Sequence, residues 1–211
     1  MITTIYLIRH SIPFKEHRGI ENVKSESILF SNIKTPLSIE GEKYAEKISN
    51  NEEFNNLDCV WSSNYVRAMS TAKYFAYNNN LKVNVDERFG ERIHGVINSW
   101  NELPENFGIN QFFDSELKLP AGESQKEVRD RMYEGLIDVL NHYKGKKVAI
   151  ITHSTAMCFL LLKWCKLENN EKLTLLFNDK EIYNKGSLSF CETFKLQFKD
   201  NELISIENIN L

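Results

Sequence analysis

Apolar positions along this chain repeat with two periods, and the switches between them set out the elements. Residues 2–8 form an unbroken apolar and β-branched run, which predicts a buried strand that stops abruptly at Arg9-His10. Residues 37–49 have helical spacing behind Ser38, a residue suited to an N-cap. "LDCVWSS" predicts a second strand, and Ala68, Ala72, Phe75 and Ala76 then recur at helical intervals. A short strand follows at "LKVNVD". Residues 100–120 show no period and read as an irregular, aromatic and acidic stretch. Ser124 and Glu127 have capping-box spacing, followed by one apolar stripe of Val128, Met132, Leu136, Val139, Leu140 and Tyr143. "KKVAIIT" reads as a central strand and residues 155–167 as a buried helix. "SLSFCETFKLQF" and "ELISIENI" alternate around Asp200-Asn201, a hairpin signal. Strands alternating with helices imply an α/β fold: three layers, α/β/α, around a mostly parallel central sheet with a C-terminal hairpin.

Composition adds limits to this layout. The 211 residues are 42% hydrophobic and 26% charged, which suits one domain over 1–211 with a real core. A net charge of −3 and a pI of about 6.0 offer no basic field to nucleic acid or a membrane, so any anion site must be local. Cys59, Cys158, Cys165 and Cys191 form no CxxC and sit in apolar contexts; they read as reduced core thiols of a cytoplasmic protein. The opening apolar run is too short for a signal peptide, and "CFLLLKWC" is too short to span a bilayer. There is no HExxH and no close Cys/His cluster, so no metal site is expected.

In α/β sheets, ligands bind beyond the carboxyl ends of the strands. Three predicted strands end there in polar groups: "IRHS", "SSNYVR" and "THS". Arg9, His10, Arg67 and His153 are therefore candidates to converge. Arg67 lies one turn into its helix, near the positive end of the dipole. His153 and Ser154 stand where another helix begins, so free backbone N–H groups there could add donors. Together these describe a phosphate pocket in an otherwise acidic protein. Singly, each has an ordinary role: a satisfied strand-end histidine, a solvated arginine, a turn cap. His17, His94 and His142 are given no function, and Ser11 only small volume. A serine hydrolase built on Ser154 lacks its G-x-S-x-G elbow.

The order of these segments resembles the histidine phosphatase superfamily, whose members include cofactor-dependent phosphoglycerate mutases. "YLIRHS", "TPLSIEGEKYAEKI", "VWSSNYVRAMSTAKYF", "ERFGERIHG", "PAGESQKEVRDRM" and "VAIITHS" are similar to six of its segments in the right order. The resemblance implies His10 as nucleophile, with Arg9, Arg67 and His153 clamping the phosphoryl group. It implies Glu91 as proton donor, because Phe89-Gly90-Glu91 fits the family's apolar-x-Glu pattern. It implies no metal and no cofactor, since the arginines supply the positive charge. One position departs: the family often has an asparagine six residues after the catalytic histidine, and here that residue is Glu16, with Pro13 nearby.

The expected activity is hydrolysis of a small-molecule phosphate monoester through a phosphohistidine. A phosphoglycerate mutase or a non-catalytic phospho-ligand binder are the alternatives. Residues 12–36 and 93–120 are expected to cover the substrate. The second stretch carries Glu102, Glu105, Asp114 and Glu116 against one full cation, Lys118, together with Trp100, Phe107, Phe112 and Phe113. Acids repel a bisphosphate, and aromatics favour an apolar or planar leaving group, so hydrolysis is favoured over mutase chemistry. Lys15, His17, Arg18, Lys24 and Lys34 in the first stretch leave a small acidic sugar or glycolytic phosphate open. Physiological substrate and oligomeric state are not legible.

Overall fold

In the computed structural model, which describes residues 1–14, 32–96, 100–170 and 172–209, the first apolar run becomes an inner strand. The strands in chain order are β1 (Ile2–Arg9), β2 (Cys59–Ser62), β3 (Val83–Val85), β4 (Lys147–Thr152), β5 (Lys166–Asn170), β6 (Lys172–Phe177), β7 (Lys180–Tyr183), β8 (Thr193–Lys199) and β9 (Glu202–Ile209). The helices are α1 (Ile39–Ser49), α2 (Val66–Asn78), α3 (Phe107–Phe113), α4 (Gln125–His142) and α5 (Ser154–Leu161). The main sheet has the order β3-β2-β4-β1-β8-β9. β3, β2, β4 and β1 run parallel, and β8 and β9 are antiparallel. Asp200 and Asn201, both at positive φ, close the expected β8–β9 hairpin.

Successive strand residues point to opposite faces, and the core divides accordingly. Ile5 and Leu7 of β1 join Val148 and Ile150 of β4 on one face, under α4 and α5. Tyr6 and Ile8 join Ala149 and Ile151 on the other, under α1 and α2. Both faces of the parallel strands are thus buried, which explains their unbroken apolar runs. The predicted apolar stripe of α4 lies on the first of these cores, and its predicted capping box is formed by Ser124 and Glu127.

Three expectations change. The helix predicted over 155–167 ends at Leu161, and residues 166–183 instead build a separate antiparallel sheet, β5-β6-β7. An apolar run does not by itself separate buried helix from strand. The stretch read as irregular contains α3, whose buried Phe107 and Gln111 are spaced one turn apart. The strand predicted from residue 187 begins only at Thr193, because Cys191 adopts a positive φ of 57° that breaks the extended run.

One close approach fixes the exit from β1. A Cβ on Gly41 in α1 would lie 2.0 Å from the Ile12 carbonyl oxygen, which also accepts the Ser38 N–H at 3.0 Å. The Ser11 hydroxyl donates to the Gly41 carbonyl at 2.7 Å. Gly41→Ala should therefore displace backbone beside the end of β1 and cost about 1–3 kcal/mol. Urea unfolding measures it; an unchanged midpoint would show that the chain absorbs the methyl group elsewhere.

Candidate active site

β1 and β4 pair in parallel with Arg9 opposite Thr152, so their next residues, His10 and His153, leave the sheet side by side. The His10 N–H donates to the Thr152 carbonyl at 2.9 Å, and the two imidazole centroids are 5.0 Å apart. Arg67, in the first turn of α2, completes the cluster. Its Nε donates to His10 Nε2 at 2.9 Å, and its NH2 lies 3.1 Å from His153 Nδ1. A third bond runs from NH1 to the Asn32 carbonyl at 2.5 Å. Relative exposures are 4% for His10, 5% for Arg67 and 0% for His153, so all three interact away from bulk water.

These partners fix both tautomers. His10 Nδ1 is 2.7 Å from the Ser11 carbonyl, which can only accept, so Nδ1 carries the proton and Nε2 presents its lone pair. His153 accepts from Arg67 at Nδ1 and therefore donates from Nε2 to the Ser63 hydroxyl at 2.8 Å. Burial, then the Arg67 charge, holds His10 well below the usual histidine range. Burial, then His10 and Arg67, does the same to His153. Both rings are neutral at neutral pH. Burial also lowers Arg67, with Glu91 the leading opposing charge, yet a guanidinium stays charged.

Arg9 approaches from the other side. Its NH1 donates to the Leu188 carbonyl, and its guanidinium carbon lies 4.2 Å from the Phe190 ring centroid. Its buried Nε has no hydrogen-bond partner among the described residues, which leaves one donor of the fork unused. Glu91 is the foremost charge opposing the effect of burial on Arg9 as well. Glu91 Oε1 accepts from the backbone of Arg92 at 2.9 Å and of Ala156 at 3.0 Å, and Oε2 more distantly from Thr155 at 3.4 Å. Two of the α5 N–H groups expected to await a phosphate are thus taken up by Glu91. Ser154, also expected at the phosphate, begins α5 and lines a neighbouring cavity of about 440 Å³.

The profile of the histidine phosphatase superfamily (branch 1) matches residues 5–183, a span that includes every group above except the Phe190 ring and the Leu188 carbonyl. The chain belongs to this superfamily. A probable phosphoglycerate mutase of Escherichia fergusonii is 26% identical over 161 residues, covering 72% of this chain and 70% of that relative. Its counterpart from Salmonella newport is 25% identical with the same coverage. Among solved structures, a mycobacterial glucosyl-3-phosphoglycerate phosphatase superposes with a TM-score of 0.67 at 18% identity, covering 99% of this chain and 97% of that one. A phosphoserine phosphatase mutant from Entamoeba histolytica, in complex with phosphoserine, gives 0.64 at 19%, covering 97% and 96%. At these identities the structural likeness establishes the shared fold.

Around the superfamily's two histidines the fold adds residues that had no assigned role. Ser63 holds His153, and the Tyr65 ring lies 4.6 Å from the His153 ring and 5.0 Å from the Arg67 guanidinium carbon. Thr71 accepts from the Ser11 N–H at 2.9 Å and donates to the Arg67 carbonyl at 2.8 Å. Ser11 is thereby a tie between β1, α1 and α2 as well as a small residue. Arg131 donates to the carbonyls of Arg88, Gly90 and Glu91 and pairs with Glu123, holding the loop that carries Glu91. His94, given no role from sequence, is lowered by burial, and Glu91 is the leading charge that opposes this. Glu16, Lys15, His17, Arg18 and Lys24 lie outside the described residues. Among the described residues no group of three His, Cys, Asp or Glu could hold a metal ion, and no helix is long and apolar enough to cross a membrane.

The neutral histidines make stability depend on pH. In the unfolded chain each takes up a proton below about pH 6.5; in the native state His10 and His153 do not. Their contribution is complete above that pH and is lost as pH falls toward the depressed native values. Asp58 and Asp86 are shifted below the usual carboxylate range, so their share is lost only at lower pH. The melting temperature should therefore fall from pH 7 to pH 5. A flat profile over that interval would mean that the native imidazoles accept protons.

Proposed function

We propose that this protein is a metal-independent phosphomonoester hydrolase that works through a phosphohistidine on a small-molecule substrate. The observation that carries this reading is the His10 tautomer. A backbone carbonyl holds the proton on Nδ1 while Nε2, neutral and buried, faces the Arg67 charge.

In the first half-reaction the Arg67 Nε–H turns from His10 Nε2 to a phosphoryl oxygen, the freed Nε2 lone pair attacks phosphorus and the P–O bond to the alcohol breaks. Glu91, beside the phosphate dianion, gives a carboxyl proton to the leaving oxygen. In the second, Glu91 accepts a proton from water as that water attacks phosphorus, and His10 is released. Arg9 and Arg67 neutralise the charge on the equatorial oxygens, which is the main catalytic requirement of phosphoryl transfer. His153 keeps Arg67 aimed at His10 and borders the phosphoryl group opposite. Residues 1–211 act as one domain; of the stretches 12–36 and 93–120 expected over the substrate, 15–31 and 97–99 lie outside the described residues. Its four free thiols are consistent with a cytoplasmic setting.

The second reading is a phosphoglycerate mutase, favoured by the naming of the curated relatives. A mutase must grip a second anionic group. Among the described residues the cavity beside Ser154 offers one cation, Lys172, in a mainly apolar lining, and this supports hydrolysis. Interconversion of 2- and 3-phosphoglycerate faster than their hydrolysis would reverse the preference.

The direct test is hydrolysis of p-nitrophenyl phosphate between pH 4 and 8 with added chelator. Wild type should be active and His10→Ala inactive; persistence of activity in that variant would remove His10 as nucleophile. Arg67→Ala should lower kcat about a hundredfold or more, the scale of losing one preorganised charge-stabilising donor. Glu91→Gln should damage alkyl phosphates far more than aryl phosphates, whose leaving groups need less protonation. Equal damage to both would argue against proton donation by Glu91.

A further inference from the structure

The cavity beside the site has a chemical character of its own. It is walled by α3, α5, the β5-β6-β7 sheet and residues 186–188. At about 440 Å³ it falls within the roughly 300–1,000 Å³ of small-molecule pockets. Ile109, Phe112, Leu162 and Leu175 supply apolar surface from three separate elements. Lys172, exposed, is the one charged residue in its lining among the described residues, and no carboxylate faces it.

Its position ties it to the phosphoryl site at two points. Leu188 lines the cavity, and its carbonyl accepts from Arg9. Thr155 lines it too, and its N–H donates to Glu91. The wall between is Cys158, whose thiol is pushed up to about 12 by burial, with Glu91 and Arg9 as its leading charged neighbours. Arg9 and Glu91 are thus each one hydrogen bond removed from the cavity lining, while Glu91 itself lines a second cavity of about 320 Å³ with Tyr65, Ile93 and Arg131.

Resting on the hydrolase reading, we infer that this cavity is the leaving-group subsite, and that the substrate class is phosphate monoesters of apolar, ring-bearing alcohols. A polyol or glycerate would bring several hydroxyls or a carboxylate into a lining where Gln111, Ser154, Thr155, Tyr183 and Ser187 are outweighed by apolar surface, so most of them lose water without gaining partners. An apolar ring gains from the same surface by leaving water. The sugar and glycolytic phosphates left open by the sequence are disfavoured on this ground.

Phosphonates test the subsite without turnover. Calorimetry would compare 1-naphthylmethylphosphonate with methylphosphonate on wild type, Leu162→Trp and Ile109→Trp. Wild type should bind the naphthyl compound at least tenfold more tightly. Either tryptophan should remove most of that advantage while leaving methylphosphonate affinity within about twofold. Ile109 is substantially exposed, so its variant folds even if the Leu162 variant does not, and circular dichroism checks both. Equal binding of the two phosphonates by wild type, no binding of the naphthyl compound, or an advantage that survives in the folded variants would each overturn the subsite. Failure of the hydrolase reading shows separately, as no turnover of p-nitrophenyl phosphate, and leaves the binding comparison readable.

Discussion

A guanidinium buried between two uncharged imidazoles governs this molecule. A charge taken out of water is tolerated only when its donors are met. For Arg67 they are met by His10 Nε2, His153 Nδ1 and the Asn32 carbonyl. Each acceptor depends on another contact: the Ser11 carbonyl sets the His10 tautomer, and the Ser63 hydroxyl sets that of His153. The cation in turn keeps both rings from taking up a proton. Imidazole neutrality and guanidinium position are thus two aspects of one electrostatic arrangement.

Such an arrangement demands rigid delivery. Pairing of β1 with β4 places His10 and His153 at the same height, and a slip of one residue would turn one of them to the opposite face. Gly41 and Thr71 bind the residues after β1 to α1 and α2. On the opposite side, Arg131 grips three carbonyls around Glu91. Buried Arg92 next to it reaches the Glu123 and Leu117 carbonyls and the Gln111 side chain. Because Gln111 belongs to α3, the loop carrying the acid and one wall of the cavity are tied together through Arg92.

The sequence shows the sheet and the cluster well because both are written locally. Unbroken apolar runs mark β1 and β4, and the polar residues that end them are the site residues themselves. Their arrival at one place follows from parallel pairing alone. The cavity could not be seen in the same way. Ile109, Leu162, Leu175 and Leu188 are scattered along the chain, and two of them lie in or beside a sheet whose first strand continues an apolar helical run. The fate of the α5 N–H groups was equally hidden, since it depends on a carboxylate that arrives from the loop after β3. Aromatic content in 100–120 did point toward an apolar neighbour, but Phe107 turns inward onto Arg92 and Phe112 lines the cavity.

Where the phosphoryl site meets its surroundings, the joints are main-chain atoms. Arg9 rests on the carbonyl of Leu188, and Glu91 on the N–H groups of Thr155 and Ala156. A peptide group is the same whatever side chain it carries. Leu188 and Thr155 can therefore be exchanged, and the neighbouring cavity reshaped, without altering the atoms that hold the reacting groups. On the proposed function, substrate preference can drift over generations while the chemical step is inherited unchanged.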